Sequence, residues 1–152
     1  MSVSETELRR AVSVLDQYRA QLETFQRQQE VLSLSLEELL RAKETMTRYQ
    51  KAGKGAEVLF PIGANAFLFG TAASPDEAII GIGSDLLVQE SIPRAVERLD
   101  GRIKSLQEAV GGLSSRIAEL DARVSAQEEF VQSVYDQVSE KQAAAGPGKP
   151  SG

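Results

Sequence analysis

The sequence predicts a mainly α chain with a small β part: a long antiparallel two-helix coiled coil with two central β-hairpins. Three observations carry this. Apolar residues recur at alternating spacings of three and four through two segments, residues 4–51 and 92–141. Between them, from Gly53 to Glu90, that period vanishes and short apolar runs separated by Gly, Asn, Ser and Asp replace it. The two periodic segments also match in length, about 48 residues each, which at 1.5 Å per residue makes an arm of roughly 70 Å.

In the first segment the stripe runs Leu8, Ala11, Leu15, Tyr18, Leu22, Phe25, then Leu32, Leu36, Leu39 and Met46, with Gln29 and Lys43 interrupting it. In the second it runs from Ile92 through Leu99, Ile103, Leu120, Val124, Val131 and Val134 to Val138, with Gln127 its sole polar member. A 3.5-residue period sustained over many heptads keeps one stripe facing a partner helix and supercoils the pair to the left. Ser4 followed by Glu7 fits a capping box ahead of Leu8, and Pro93 suits a first helical turn. Gly53 and Gly55 suit the end of the first helix. By heptad position Gly101, Gly111 and Gly112 face outward. Each costs a helix roughly 1 kcal/mol relative to Ala, so a bending point near Gly111 is expected. The last stretch, AAAGPGKPSG, has no apolar side chain larger than Ala and is expected to be disordered. The chain thus divides into a first helix (1–52), an assembly segment (53–90), a second helix (91–141) and a tail (142–152).

Partner choice follows from the positions flanking the stripe. Across the first helix these are mostly Gln, Ser, Val and Thr, and Arg19 alone is charged. A zipper between separate chains would be weakly specified by such residues. The covalent connection through residues 53–90 instead gives the two helices a high effective concentration for antiparallel pairing.

The central runs EVLFPI, AFLFGTA, EAIIGI and LLVQE read as four short strands. Ile62, Gly63, Ala64 and Asn65 recur twenty residues later as Ile82, Gly83, Ser84 and Asp85, with Gly and Asn or Asp supplying tight-turn conformations. Two tandem hairpins follow. Hairpins this short expose their edges and hold too few residues to close a core. Phe60, Ile62, Phe67, Phe69, Ile80, Ile82, Leu87 and Val88 therefore need cover from outside the chain, and oligomerisation supplies it.

Composition narrows the chemistry. The chain has no Cys, no His and no Trp, and is 5% aromatic. Disulfides, thiolate catalysis, imidazole bases and the commonest metal ligands are excluded together. No cofactor, metal or catalytic residue is assigned, and an enzyme is not expected. A net charge of −5 lacks the basic footprint of a nucleic-acid binder. The start, MSVSETELRR, has neither a basic nor an apolar leader, and no apolar run approaches the roughly 20 residues of a membrane span. The expected location is the cytoplasm. The run Gly81 to Leu86 superficially suggests a dinucleotide loop, but the strand, turn and helix context is absent. Gly53, Lys54 and Gly55 likewise lack the phosphate-loop pattern. Glu37 with Glu38, and Glu128 with Glu129, diverge by about 100° on a helix and cannot converge on one ligand.

The runs LFPIGANAFLFG and IIGIGSDLLVQES, set between two long heptad helices, resemble the α class of archaeal prefoldin subunits, in which two hairpins replace the single hairpin of the β class. The resemblance spans nearly the whole chain. It implies a hexamer of two α and four β subunits built on a double β-barrel, with coiled coils projecting from it. It also implies ATP-independent capture of unfolded polypeptides and their delivery to a group II chaperonin. Toward the free helix ends the apolar stripe widens, with Val12 and Val14 on one helix and Phe130 and Tyr135 on the other. Such widening suits either an ordinary amphipathic stripe or a binding surface, and the resemblance favours the second. The expected client surface is Leu8, Val12 and Leu15 with Phe130, Val131, Val134, Tyr135 and Val138, where antiparallel pairing sets Leu8 opposite Val134. A structural scaffold or tether without client binding is the alternative.

Overall fold

The computed structural model describes residues 3–144, the side chains of Val3 and Ser4 excepted. Helix α1 spans Val3–Ala52, strands β1 to β4 span Glu57–Gly63, Ala66–Thr71, Glu77–Gly83 and Leu86–Ser91, and helix α2 spans Ile92–Ala144. Helix α1 already includes Ser4, whose proposed capping side chain lies outside the described residues. Residues 142–144, expected in the tail, continue α2; the rest of the tail, 145–152, lies outside the described residues. By packing the described residues divide into one unit within Met1–Val31 and Val110–Gly152, and another of Leu32–Ala109.

In the first unit the stripes of α1 and α2 meet. Ala11, Leu15, Leu120, Val124, Val134 and Val138 are buried. The polar interruptions of the stripe are matched rather than orphaned: the Gln127 side chain donates to the Ala11 carbonyl at 2.9 Å, and that of Gln29 donates to the Ser114 hydroxyl at 2.6 Å. Such pairs pin the register, because sliding either helix by one residue strands a half-buried amide. Arg19 pairs with Glu128 at 2.9 Å, and the Arg116 guanidinium sits 5.8 Å from the centre of the Phe25 ring. Both charges of the Arg19 pair are about half exposed, so it contributes orientation more than stability.

In the second unit α1 ends at Ala52 because Gly53 takes the left-handed conformation, φ 80°. Gly55, also left-handed, donates its N–H to the Ala72 carbonyl at 2.8 Å, and Ala72 in turn donates to Ala56. The strands form two separate antiparallel hairpins, β1 with β2 and β3 with β4. Their turns are homologous in geometry as in sequence. Gly63 pairs with Ala66 and Gly83 with Leu86, leaving Ala64-Asn65 and Ser84-Asp85 as two-residue turns with positive φ at both positions. That is the mirror-image turn whose twist suits a hairpin. Gly63 and Gly83 fall one place earlier than turn chemistry suggests: they sit at the register shifts, at φ 97° and 108°, while Ala64 and Ser84 carry the strained turn position.

The second hairpin lies with one face on the helices. Ile80, Ala95, Leu99 and Ile103 form a buried cluster, with Leu36, Leu39, Ala42, Met46, Ala78 and Val88 packed around it. Glu90, on the same hairpin face, accepts from Arg98 at 2.6 Å and lies 3.7 Å from Arg94. Lys43, the other interruption of the α1 stripe, reaches Asp100 on α2 at 2.6 Å. The start of α2 is well capped: Ile92 donates its N–H to the Asp76 carbonyl at 2.8 Å, Pro93 has no N–H to satisfy, and Arg94 donates to the Ser91 hydroxyl at 3.4 Å. A Cβ at Gly101, Gly111 or Gly112 would meet nothing within 4 Å, as expected for outward positions.

Candidate functional site

Alternation along the strands decides which hairpin side chains share a face. In the first hairpin, Leu59 pairs with Phe69 and Pro61 with Phe67, which puts all four on one face. Leu59, Phe67 and Phe69 are exposed there. The opposite face carries Phe60, paired with Leu68, both also exposed. The Phe60 ring lies over Gly70, where a Cβ would come within 2.0 Å of it. A side chain at position 70 would therefore displace this half-exposed ring. Among the described residues nothing covers the outer part of either face of the first hairpin, and Val58 and Gly70 are its half-buried members.

The second hairpin differs. Ile79 and Leu87 are exposed on the face that also carries the Gln89 to Glu77 hydrogen bond of 2.6 Å. Ile80, expected to need cover from outside, is instead buried by Ala95, Leu99 and Ile103, and Val88 is half-buried beside it. Helix α2 supplies that cover, because it starts directly after β4 and lies against its inner face. Ile62 and Ile82 remain exposed. Leu59, Leu68, Ile79 and Leu86 are exposed apolar residues that the sequence reading passed over. Their signal was present: a continuous apolar run such as Val58 to Ile62 means both strand faces lack water-facing residues, whereas one covered face calls only for alternation.

At the paired helix ends of the first unit, a shallow groove is lined by Leu8 and Arg9 of α1 and by Tyr135, Val138 and Ser139 of α2, bringing part of the expected set together. The set divides by burial. Val12, Phe130 and Tyr135 are exposed, and Leu8 and Val131 are half-buried. Leu15, Val134 and Val138 are buried in the seam, where each helix faces the other, so in this structure the other five are the open part of the expected set.

The Gly81 to Leu86 run ends one strand, makes a two-residue turn and starts the next, with no helix following the glycines. No phosphate-binding geometry is built there. Glu128 is engaged by Arg19. Among the described residues no helix is long and apolar enough to cross a membrane.

Two long helices that carry their β-hairpins between them, with apolar hairpin faces left open, define a coiled-coil protein of the hairpin-bearing class. The family model for prefoldin subunits matches residues 18–137. Prefoldin subunit alpha of Methanospirillum hungatei is 30% identical over 144 residues, 95% of this chain and 96% of that protein. Prefoldin subunit alpha of Pyrococcus horikoshii is 30% identical over 125 residues, 82% of this chain and 84% of that one. Among solved structures, the filamentous prefoldin of Methanocaldococcus jannaschii, determined by cryo-electron microscopy, matches with a TM-score of 0.65 at 23% identity, over 75% of this chain and 94% of that one. The chain belongs to the prefoldin family, a family of chaperone subunits rather than of enzymes.

Proposed function

We propose that this chain is the α-class subunit of an ATP-independent holdase in the cytoplasm. It assembles with β-class subunits through its hairpins, as a hexamer of two α and four β chains, and captures unfolded polypeptides at its paired helix ends for delivery to a group II chaperonin. The observation that carries the reading is the distribution of exposed apolar side chains: a two-faced apolar hairpin at one place, and Val12, Phe130 and Tyr135 at another. Water-facing apolar groups of this size are costly to leave open, and patches of them mark binding surfaces.

Client capture at the helix ends draws on few groups. Each apolar side chain contributes about 1.5 to 3 kcal/mol when fully buried, so one subunit binds weakly and without sequence preference, and several subunits on one unfolded chain supply avidity. Helix ends also fray, since their terminal backbone groups lack partners, and fraying transiently adds Leu15, Val134 and Val138 to the surface. The test replaces Val12, Phe130 and Tyr135 with Ser. All three are exposed, so folding and assembly are expected to persist while suppression of client aggregation falls several-fold. Undiminished suppression by the intact oligomer removes the helix ends from client binding. Absence of suppression by the unaltered oligomer supports the scaffold or tether reading instead.

A further inference from the structure

Within the first unit the seam between α1 and α2 is unevenly sealed. Ala11 and Leu15 of α1 and Leu120, Val124, Val134 and Val138 of α2 are buried. Phe25 of α1 and Val110, Leu113 and Ile117 of α2 hold the same kind of seam position and are only half-buried. What crosses the seam here is polar and open to water: the 2.6 Å hydrogen bond from Gln29 to the Ser114 hydroxyl, and the Arg116 guanidinium over the Phe25 ring. Water competes for exposed hydrogen bonds, so these contacts hold the helices together less firmly than a buried apolar layer does. The backbone of α2 is weak at the same level. Gly111 and Gly112 are adjacent, and glycine is the poorest helix former after proline. The Ser115 hydroxyl donates to the Gly111 carbonyl at 3.3 Å, a back-bond of the kind that loosens and bends helices. Gly101 has equally open surroundings, but buried Leu99 and Ile103 flank it and seal the seam there.

We propose that residues 25–29 of α1 and 110–117 of α2 form one cooperative opening element, with the Gln29 to Ser114 hydrogen bond as its latch. The helices part there while the buried residues Ala11, Leu15, Leu120 and Val124 stay closed. Both helices lose the same contacts when the latch opens, so the two stretches open and close together. Phe25, Leu113 and Ile117 then meet water without any unfolding of the helix ends. A bend in α2 alone would leave residues 25–29 of α1 paired, and the coupling between the two helices separates the opening element from simple helix softness.

Hydrogen exchange on the full-length protein tests this. Exchange is expected to be faster at residues 25–29 and 110–117 than at residues 11–15 and 120–124. Gly111→Ala with Gly112→Ala alters α2 alone, and is expected to slow exchange about tenfold in both stretches, on α1 as well as on α2. Gln29→Leu alters α1 alone and replaces the polar latch with an apolar seam residue, which is expected to slow both stretches in the same way. Residues 11–15 and 120–124 are expected to keep their rates in both variants. Rates at 25–29 and 110–117 as slow as at those flanks, or unchanged in both variants, overturn the proposal. Slowing confined to the substituted helix overturns it as well, since α2 is then soft by itself with no opening of the seam. Uniform slowing along both helices overturns it in favour of exchange through global unfolding.

Discussion

Replacing Phe67 and Phe69 with Ser tests hairpin assembly most directly, because the structure separates its effect on folding from its effect on association. Phe67 is 56% and Phe69 78% exposed in the single chain, so most of each ring contributes nothing to intrachain packing. Fully burying a Phe contributes about 1.5 to 3 kcal/mol, and only the exposed fractions remain to be buried by a partner. Together they amount to roughly 2 to 4 kcal/mol per subunit, a weakening of association of about 30- to 700-fold at 1.4 kcal/mol per tenfold. Helicity, carried by α1 and α2, is expected to change little. Native mass measurement across a dilution series, with circular dichroism on the same samples, reads both quantities. An unchanged native mass at concentrations near the dissociation midpoint would refute the reasoning. So would loss of helicity in parallel with mass, since the two rings would then be holding the chain's own fold.

Two further predictions concern backbone conformation. Ala64 and Ser84 occupy left-handed turn positions, φ 50° each, which cost an L residue with a Cβ about 1 to 2 kcal/mol; Ala64→Gly and Ser84→Gly are expected to recover about 1 kcal/mol or less each after glycine's greater unfolded-state entropy, read as a rise in melting temperature, and a fall would show that the turns are not of this type. Gly111→Ala with Gly112→Ala adds side chains that meet nothing and is expected to stabilise α2 by about 1 kcal/mol per site and slow hydrogen exchange across residues 108–115. Exchange already as slow there as in neighbouring turns of the unaltered protein would remove the bending point.

Much of this protein was legible in its sequence because its order is repetitive. A stripe of period 3.5 can be satisfied in few ways, so Leu8 to Met46 and Ile92 to Val138 specify helices that pair. The polar interruptions acquired a purpose only in three dimensions: Gln127 reaches the Ala11 carbonyl, Gln29 reaches Ser114, and Lys43 reaches Asp100. Turn positions were also visible in the repeated Ile-Gly-Ala-Asn and Ile-Gly-Ser-Asp, though not which residue carries the strain, because a bulge that shifts the register at Gly63 and Gly83 depends on cross-strand pairing.

Periodicity states which residues avoid water, and it is silent about what covers them. Ile80 and Phe60 look alike in sequence, each an apolar residue in the middle of a hairpin strand. Tertiary structure buries Ile80 against Ala95, Leu99 and Ile103, and leaves Phe60 open over Gly70. At the helix ends, likewise, Val134 and Tyr135 are neighbours in the chain, yet the first is buried and the second exposed. The sequence by itself determined two pairing helices, two hairpins and the absence of Cys and His chemistry, since each follows from local pattern or composition. Only the tertiary structure decided which apolar groups remain for partners, because burial is a property of contacts between segments far apart in the chain.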